Sequence, residues 1–178
     1  MIFSLLRLLS CLFILFLLSG AAQATCYREA AARYSVPEKL LRAIATVESG
    51  TRDAATVENK NKDGTRDIGR MQINTGWLGT LKQFGITEVS LRDECTSIHV
   101  GAWVMAHNVS RHGLSWDAVG AYNVGCKHLK KQECERRRNL YAWKVFRAIK
   151  PTAPQVKEEL VEMQALKANE SRIAMVTF

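Results

Sequence analysis

The sequence predicts a mainly α protein, one small helical domain with polar excursions between its helices. Apolar residues recur at helical spacing in several separated segments. Those segments are divided by stretches rich in Gly, Asn, Asp and Pro, and no internal repeat is visible. The length of 178 residues, 47% of them hydrophobic, suits a single modest domain with short extensions.

Residues 1–24 combine Arg7, an apolar run from Leu8 to Leu18 and the small residues of Ala22-Gln23-Ala24. This pattern reads as a cleavable secretory signal cut after Ala24. The run is short for a membrane span of about 20 residues, and Gln23-Ala24-Thr25 before Cys26 lacks the aliphatic residue of a lipidation site. No stable membrane anchor is expected. Ser35-Val36-Pro37-Glu38 then has capping-box spacing with Pro37 suited to a first helical turn. Leu40, Leu41, Ile44 and Val47 carry that helix to Gly50. Thr51 to Asp67 is a polar loop or short hairpin turning at Asn61-Lys62-Asp63-Gly64. Its carboxylates are too few and wrongly spaced for a calcium loop.

Ile68 to Asn74 is short and apolar-tinged. Trp77, Leu78, Leu81 and Phe84 restore helical spacing up to Gly85. Asp93 to His112 is the expected central helix, with Ile98, Gly101, Ala102, Met105 and Val109 on one face, where Gly101 and Ala102 permit close helix packing. Leu114 to Tyr122 is apolar and ends in the turn Asn123-Val124-Gly125. Leu140, Tyr141, Val145 and Ile149 mark a last helix over Arg137 to Ile149, stopped by Pro151 and Pro154. The folded domain is therefore 25–150. In the tail, 151–178, Val156, Leu160, Val161 and Leu166 allow one amphipathic helix, with partner docking as an alternative to a partly ordered tail.

Of five cysteines, Cys11 leaves with the signal, so Cys26, Cys95, Cys126 and Cys134 remain in an exported chain and point to two disulfides. Three pairings are possible. Local spacing favours Cys126 with Cys134, which leaves Cys26 with Cys95. Zinc lacks a closely spaced Cys or His pair to build on, so no metal is expected. Losing Arg7 lowers the basic count from 25 to 24 against 17 acids, leaving a net charge of +7. Such a balance favours anionic partners: peptidoglycan stem carboxylates, lipid head groups or nucleic acid. The densest basic run, Lys127 to Arg138, is interrupted by Glu133 and Glu135 and has no interleaved aromatics, so a solvated loop and helix start is expected there and nucleic acid is not.

Glu48 is the residue that needs an explanation. It lies four residues after Ile44 and eight after Leu40, and so points with them toward the interior. Burial and the negative end of the helix dipole both disfavour its charged form and raise its pKa, which is how a general acid is made. The alternative is a glutamate that rims the core with its tip in solvent.

Glu48-Ser49 at a helix end, Gly69-Arg70-Met71-Gln72-Ile73 after the polar loop, and Ala121-Tyr122-Asn123 before the cysteine loop form three motifs in a fixed order. In these, from about Cys26 to Lys150, the chain resembles the lytic transglycosylases of the soluble-lytic-transglycosylase domain. Within that family the likeness is to the small exported enzymes that accompany type III and type IV secretion, conjugation and pilus systems. The resemblance implies an α+β lysozyme-like fold with the polar loop or hairpin beside an active-site cleft. It implies a carbon–oxygen lyase that cleaves the MurNAc-β-1,4-GlcNAc bond of peptidoglycan glycan strands, leaves 1,6-anhydro ends and uses no cofactor. A periplasmic monomer that serves as a component of an envelope-spanning apparatus is expected.

The resemblance makes Glu48 the single catalytic acid and base. Asp67, where some secretion-associated relatives carry an assisting acid, orients water or stabilises positive charge at the anomeric carbon, or else caps a turn. Substrate contacts are expected from Ser49, from Met71 as a soft apolar wall, from the Gln72 amide, from Tyr122 with its hydroxyl near the glutamate, and from Asn123. Arg70 stands where the family commonly has an aliphatic residue. Pointing inward it would lower the pKa of Glu48, whereas pointing outward, the expected direction, it would grip a stem-peptide carboxylate. A hydrolytic muramidase on the same fold and a peptidoglycan-binding assembly factor are the alternatives.

Overall fold

The computed structural model describes residues 25–149. The expected signal, residues 1–24, and the expected tail, 151–178, lie outside the described residues. Residues 25–34, to which periodicity assigns no element, form helix α1 and bury Tyr27 and Ala30. Ser35 does not cap the next helix. It takes a left-handed conformation at φ 53°, and Val36 N–H donates to the Ala31 carbonyl at 3.1 Å, the closing bond of a helix C-terminus. Ser35 is thus committed to ending α1, and α2 (Glu38–Glu48) starts after Pro37 with no side-chain cap. Leu41 and Ile44 on α2 are fully buried.

The polar stretch forms more than a hairpin. Three antiparallel strands, β1 (Glu58–Lys60), β2 (Arg66–Ile68) and β3 (Ile73–Asn74), lie in that order. Register pairs Ile68 with Ile73 on the core face, where both are buried. The neighbouring row, Asn59 opposite Asp67 opposite Asn74, faces the other way because strand side chains alternate. Asp67 therefore sits within a strand, so it is not a turn cap. Three short helical turns follow: a 3-10 turn Thr75–Trp77, α3 (Leu78–Leu81) and a second 3-10 turn Lys82–Phe84, which closes at the left-handed Gly85.

A further 3-10 turn, Ser90–Arg92, leads into the central helix α4 (Glu94–His112). The Asp93 side chain accepts the Thr96 N–H at 2.8 Å, a cap that satisfies one free donor at the helix start. Ser115 does the same for Ala118 at the start of α5 (Trp116–Asn123). The last helix, α6 (Lys131–Ile149), begins two turns before the expected Arg137. Its first turns are polar and held by Glu133 to Arg136 and Arg137 at 2.8 and 2.6 Å, so apolar spacing does not reveal them. Helix α6 packs on α5 and α2, and α4 packs on α5 and α2. Among the described residues no helix is long and apolar enough to cross a membrane.

Two disulfides fasten this frame. Cys26 on α1 is bonded to Cys95 in the first turn of α4, 69 residues away, and Cys126 to Cys134 on α6. Gly69 and Gly101 fix the segment between the sheet and α4. At Gly69, φ is 76° and a Cβ would stand 2.1 Å from the Leu91 carbonyl oxygen. The Gly101 surface accommodates the Met71 side chain, which a Cβ would meet at 2.7 Å, so this glycine admits a loop residue.

Gly69→Ala should lower stability by about 3 kcal/mol or more, combining left-handed strain with overpacking. Urea denaturation at neutral pH measures it. Replacing Cys26 and Cys95 together by alanine should cost about 4 kcal/mol through the entropy of the longer free loop. The oxidised parent and the double variant compared by the same denaturation give the difference.

Candidate active site

The sheet, the Thr75–Trp77 turn, α4 and the end of α5 enclose a cleft of about 820 Å³. Glu48 lines it. Leu40 and Ile44 beneath it on the same face of α2 are buried, whereas Glu48, at the last position of the helix, is only half-buried. The apolar stripe of α2 ends where the cleft opens.

One hydrogen bond holds this carboxyl group: Tyr141 Oη on α6 donates to Glu48 Oε1 at 2.5 Å. Burial raises the pKa of Glu48 to about 7. The Tyr141 bond opposes that rise, the negative charge of Asp67 adds to it, and Lys144 and Arg52 lower it. Arg52 also donates through Nη2 to the Glu48 carbonyl at 2.5 Å, satisfying a free acceptor at the end of α2. Burial, with the Glu48 charge next, pushes the Tyr141 hydroxyl upward, so it stays a donor. A carboxyl group poised near neutrality can give up a proton and take one back.

Asp67 lines the same cleft. Its oxygens accept amide hydrogens from Asn61 at 3.0 Å and Asn74 at 2.8 Å, which orient the carboxylate. Tyr122 and Asn123, from the end of α5, complete this side. The Tyr122 hydroxyl donates to the Met71 carbonyl at 2.9 Å, and its ring lies parallel to that of Tyr141 at 6.5 Å. Tyr141 thus makes the hydrogen bond to the glutamate, while the Tyr122 hydroxyl is committed to Met71 and still lies near enough for the Glu48 charge, after burial, to raise its pKa.

Gln72 lines the cleft in a left-handed conformation, φ 47°. Its amide nitrogen donates to the Gly69 carbonyl at 2.8 Å and its oxygen accepts from Asn59 at 2.5 Å. The amide braces β1 against the Gly69–Gln72 turn and has little bonding capacity left for a ligand.

Three expectations need correction. Met71 is wholly buried against Gly101, so it is core and offers no wall to a ligand. Ser49 is buried with its hydroxyl donating to the Ala45 carbonyl at 3.1 Å, and it does not line the cleft. Arg70 neither reaches outward nor acts on Glu48. It turns to the rear of the cleft, donating to Glu94 at 2.6 Å, Ser49 Oγ at 3.0 Å and the Gly50 and Arg52 carbonyls. Its guanidinium joins the end of α2 to the start of α4.

The functional side chain that motif reading missed is Tyr141. The signal was its place in the apolar stripe of α6, because a buried phenol needs a hydrogen-bond partner. Asn108, on the buried face of α4 and at the cleft, carries the same kind of signal. A separate hollow of about 280 Å³, lined by Trp116, Asn139, Ala142, Trp143 and Phe146, has no titratable group and no comparable chemistry.

Comparison with known proteins agrees with this architecture. The family model described as Transglycosylase SLT domain matches residues 25–144. The chain is similar to Invasion protein IagB of Salmonella typhimurium, 35% identical over 156 residues that cover 86% of this chain and 96% of that protein. It is similar to Protein IpgF of Shigella flexneri, 38% identical over 126 residues, 70% of this chain and 79% of that protein. A Peptidoglycan-binding-like protein of Escherichia coli O157:H7 is 30% identical over 131 residues, 70% of this chain and 76% of that protein. With a family match across nearly all the described residues and relatives aligned over most of both chains, this chain belongs to the Transglycosylase SLT domain family of lytic transglycosylases.

Proposed function

We propose that this lytic transglycosylase cleaves the MurNAc-β-1,4-GlcNAc bond of peptidoglycan with Glu48 as its single acid and base, leaving 1,6-anhydro-MurNAc ends. The observation that carries the reading is Glu48 itself: a half-buried carboxyl in the cleft, its pKa raised to about 7 and one oxygen held by Tyr141. Below that value Glu48 arrives protonated and gives its proton to the leaving glycosidic oxygen. The resulting carboxylate takes the proton of the muramoyl C6 hydroxyl, whose oxygen attacks its own anomeric carbon. An internal nucleophile is already at high effective concentration, so no second carboxylate has to activate water.

Asp67, oriented by Asn61 and Asn74 in the same cleft, stabilises positive charge at the anomeric carbon in this scheme. The same placement favours one second reading, a hydrolytic muramidase in which Asp67 activates water. Asn123 and the Tyr122 edge are the proposed substrate contacts. Residues 1–24 direct export, 25–150 act on the sacculus in the periplasm, and 151–178 are a candidate recruiting tail. Disulfides suit that compartment. The basic charge suits stem-peptide carboxylates. On the family likeness, and in keeping with a relative named as an invasion protein, the reaction opens local gaps in the wall for a secretion, conjugation or pilus apparatus.

Mass spectrometry of digested sacculi should show anhydromuramyl ends, and Glu48→Gln should reduce their release by about 10²–10⁴-fold. Reducing muramic acid ends alone would replace the lyase scheme with the hydrolytic one. The acid form is needed at the start, so activity should be present below pH 7 and fall as pH rises through about 7. Tyr141→Phe removes a bond that favours the carboxylate, and should move this alkaline limb upward. Asp67→Asn removes a neighbouring negative charge, and should move it downward. Rate measured against pH for both variants checks the two opposite signs.

A further inference from the structure

We infer that Asn108 and Trp77 form a recognition subsite for an acetamido group of the glycan strand, on the wall of the cleft built by α4 and the Thr75–Trp77 turn. This rests on the glycan reading of the cleft. Asn108 is 7% exposed, and its amide nitrogen is the buried side-chain polar atom among the described residues that has no hydrogen-bond partner. A folded chain tolerates an unpaired buried amide poorly, and leucine would fill the position without that penalty. Asn108 nevertheless lines the cleft, so a turn of its amide toward the cleft would give the sealed nitrogen a ligand as partner.

The surroundings define what that ligand presents. Val104, one helical turn before Asn108, and Trp77 across the wall both line the cleft and supply apolar surface. Trp77 is held in place by near-perpendicular ring contacts with Trp103 at 5.2 Å and His107 at 5.5 Å. An amide set beside rigid apolar surface matches an N-acetyl group, whose carbonyl and N–H pair with the Asn108 amide while its methyl packs on Trp77 and Val104. Sugar hydroxyls alone would leave the apolar part of this wall unfilled.

The test uses the Glu48→Gln protein, which binds without turnover, titrated calorimetrically with a peptide-free GlcNAc–MurNAc tetrasaccharide and with its de-N-acetylated form. Adding Asn108→Leu should weaken binding of the acetylated strand about tenfold. The de-N-acetylated strand should bind both proteins alike, and thermal stability should be unchanged or higher. Asn108→Ala, which removes the amide without adding charge, should show the same selective loss, so the test does not hang on one variant folding. Unchanged affinity for the acetylated strand, or an equal loss on both strands, would overturn the subsite while leaving the glycan reading intact. Failure of Glu48→Gln itself to bind the tetrasaccharide would overturn both.

Discussion

The hydrogen bond from Tyr141 to Glu48 crosses 93 residues of sequence, and the arrangement of the domain turns on it. It joins the last residue of α2 to the middle of α6. Tyr141 stacks on Tyr122, and the Tyr122 hydroxyl reaches the Met71 carbonyl. The Met71 N–H in turn donates to Ser97 on α4 at 3.0 Å. One continuous path therefore runs from the candidate acid through α6, α5 and the post-sheet turn to the central helix. The carboxyl group is set between two opposed influences: burial, which disfavours its charge, and the phenol, which favours it. Were α6 displaced, the glutamate would lose its partner and its surroundings together.

The turn from Gly69 to Ile73 serves this arrangement as scaffold. Gly69 supplies a left-handed conformation in a space too small for a Cβ, Arg70 ties the rear of α2 to α4, and Met71 fills the hollow left by Gly101. Gln72 braces the strand opposite. A motif that reads as a row of substrate contacts is thus mostly the internal fastening of the cleft. Arg70 spends its charge on Glu94 and on backbone carbonyls. The charges that act on Glu48 are those of Asp67, Lys144 and Arg52.

Much of the frame was legible because apolar periodicity reports burial directly. Leu40, Leu41 and Ile44 on α2, Ile98 and Met105 on α4, and Tyr141 and Val145 on α6 all recur at helical spacing, and all are buried. Elements without such a stripe were not legible. Helix α1 is short and alanine-rich, so Ser35 read as the start of α2 although it ends α1. The first turns of α6 are charged, and their helical state rests on Glu133 and its arginines. Three strands of two or three residues, their pairing set across turns, were too brief for alternation to show beyond a polar loop or hairpin.

By itself the sequence determined the helical class, the cysteines available for bonding and the awkward position of Glu48, because each depends on residue type and local spacing. Only the tertiary structure decided which side chains share the cleft. It turned Ser49, Arg70 and Met71 away, brought in Asp67 through the alternation of β2, and set Tyr141, from far along the chain, against Glu48 as its hydrogen-bond donor. Direction and distance between elements are set by how helices and strands pack, and no local pattern encodes them. The carboxyl group that stood out in the sequence acquires a pKa near neutrality from burial in the packed domain, with the charge of Asp67 adding to the rise and the bond from Tyr141 opposing it.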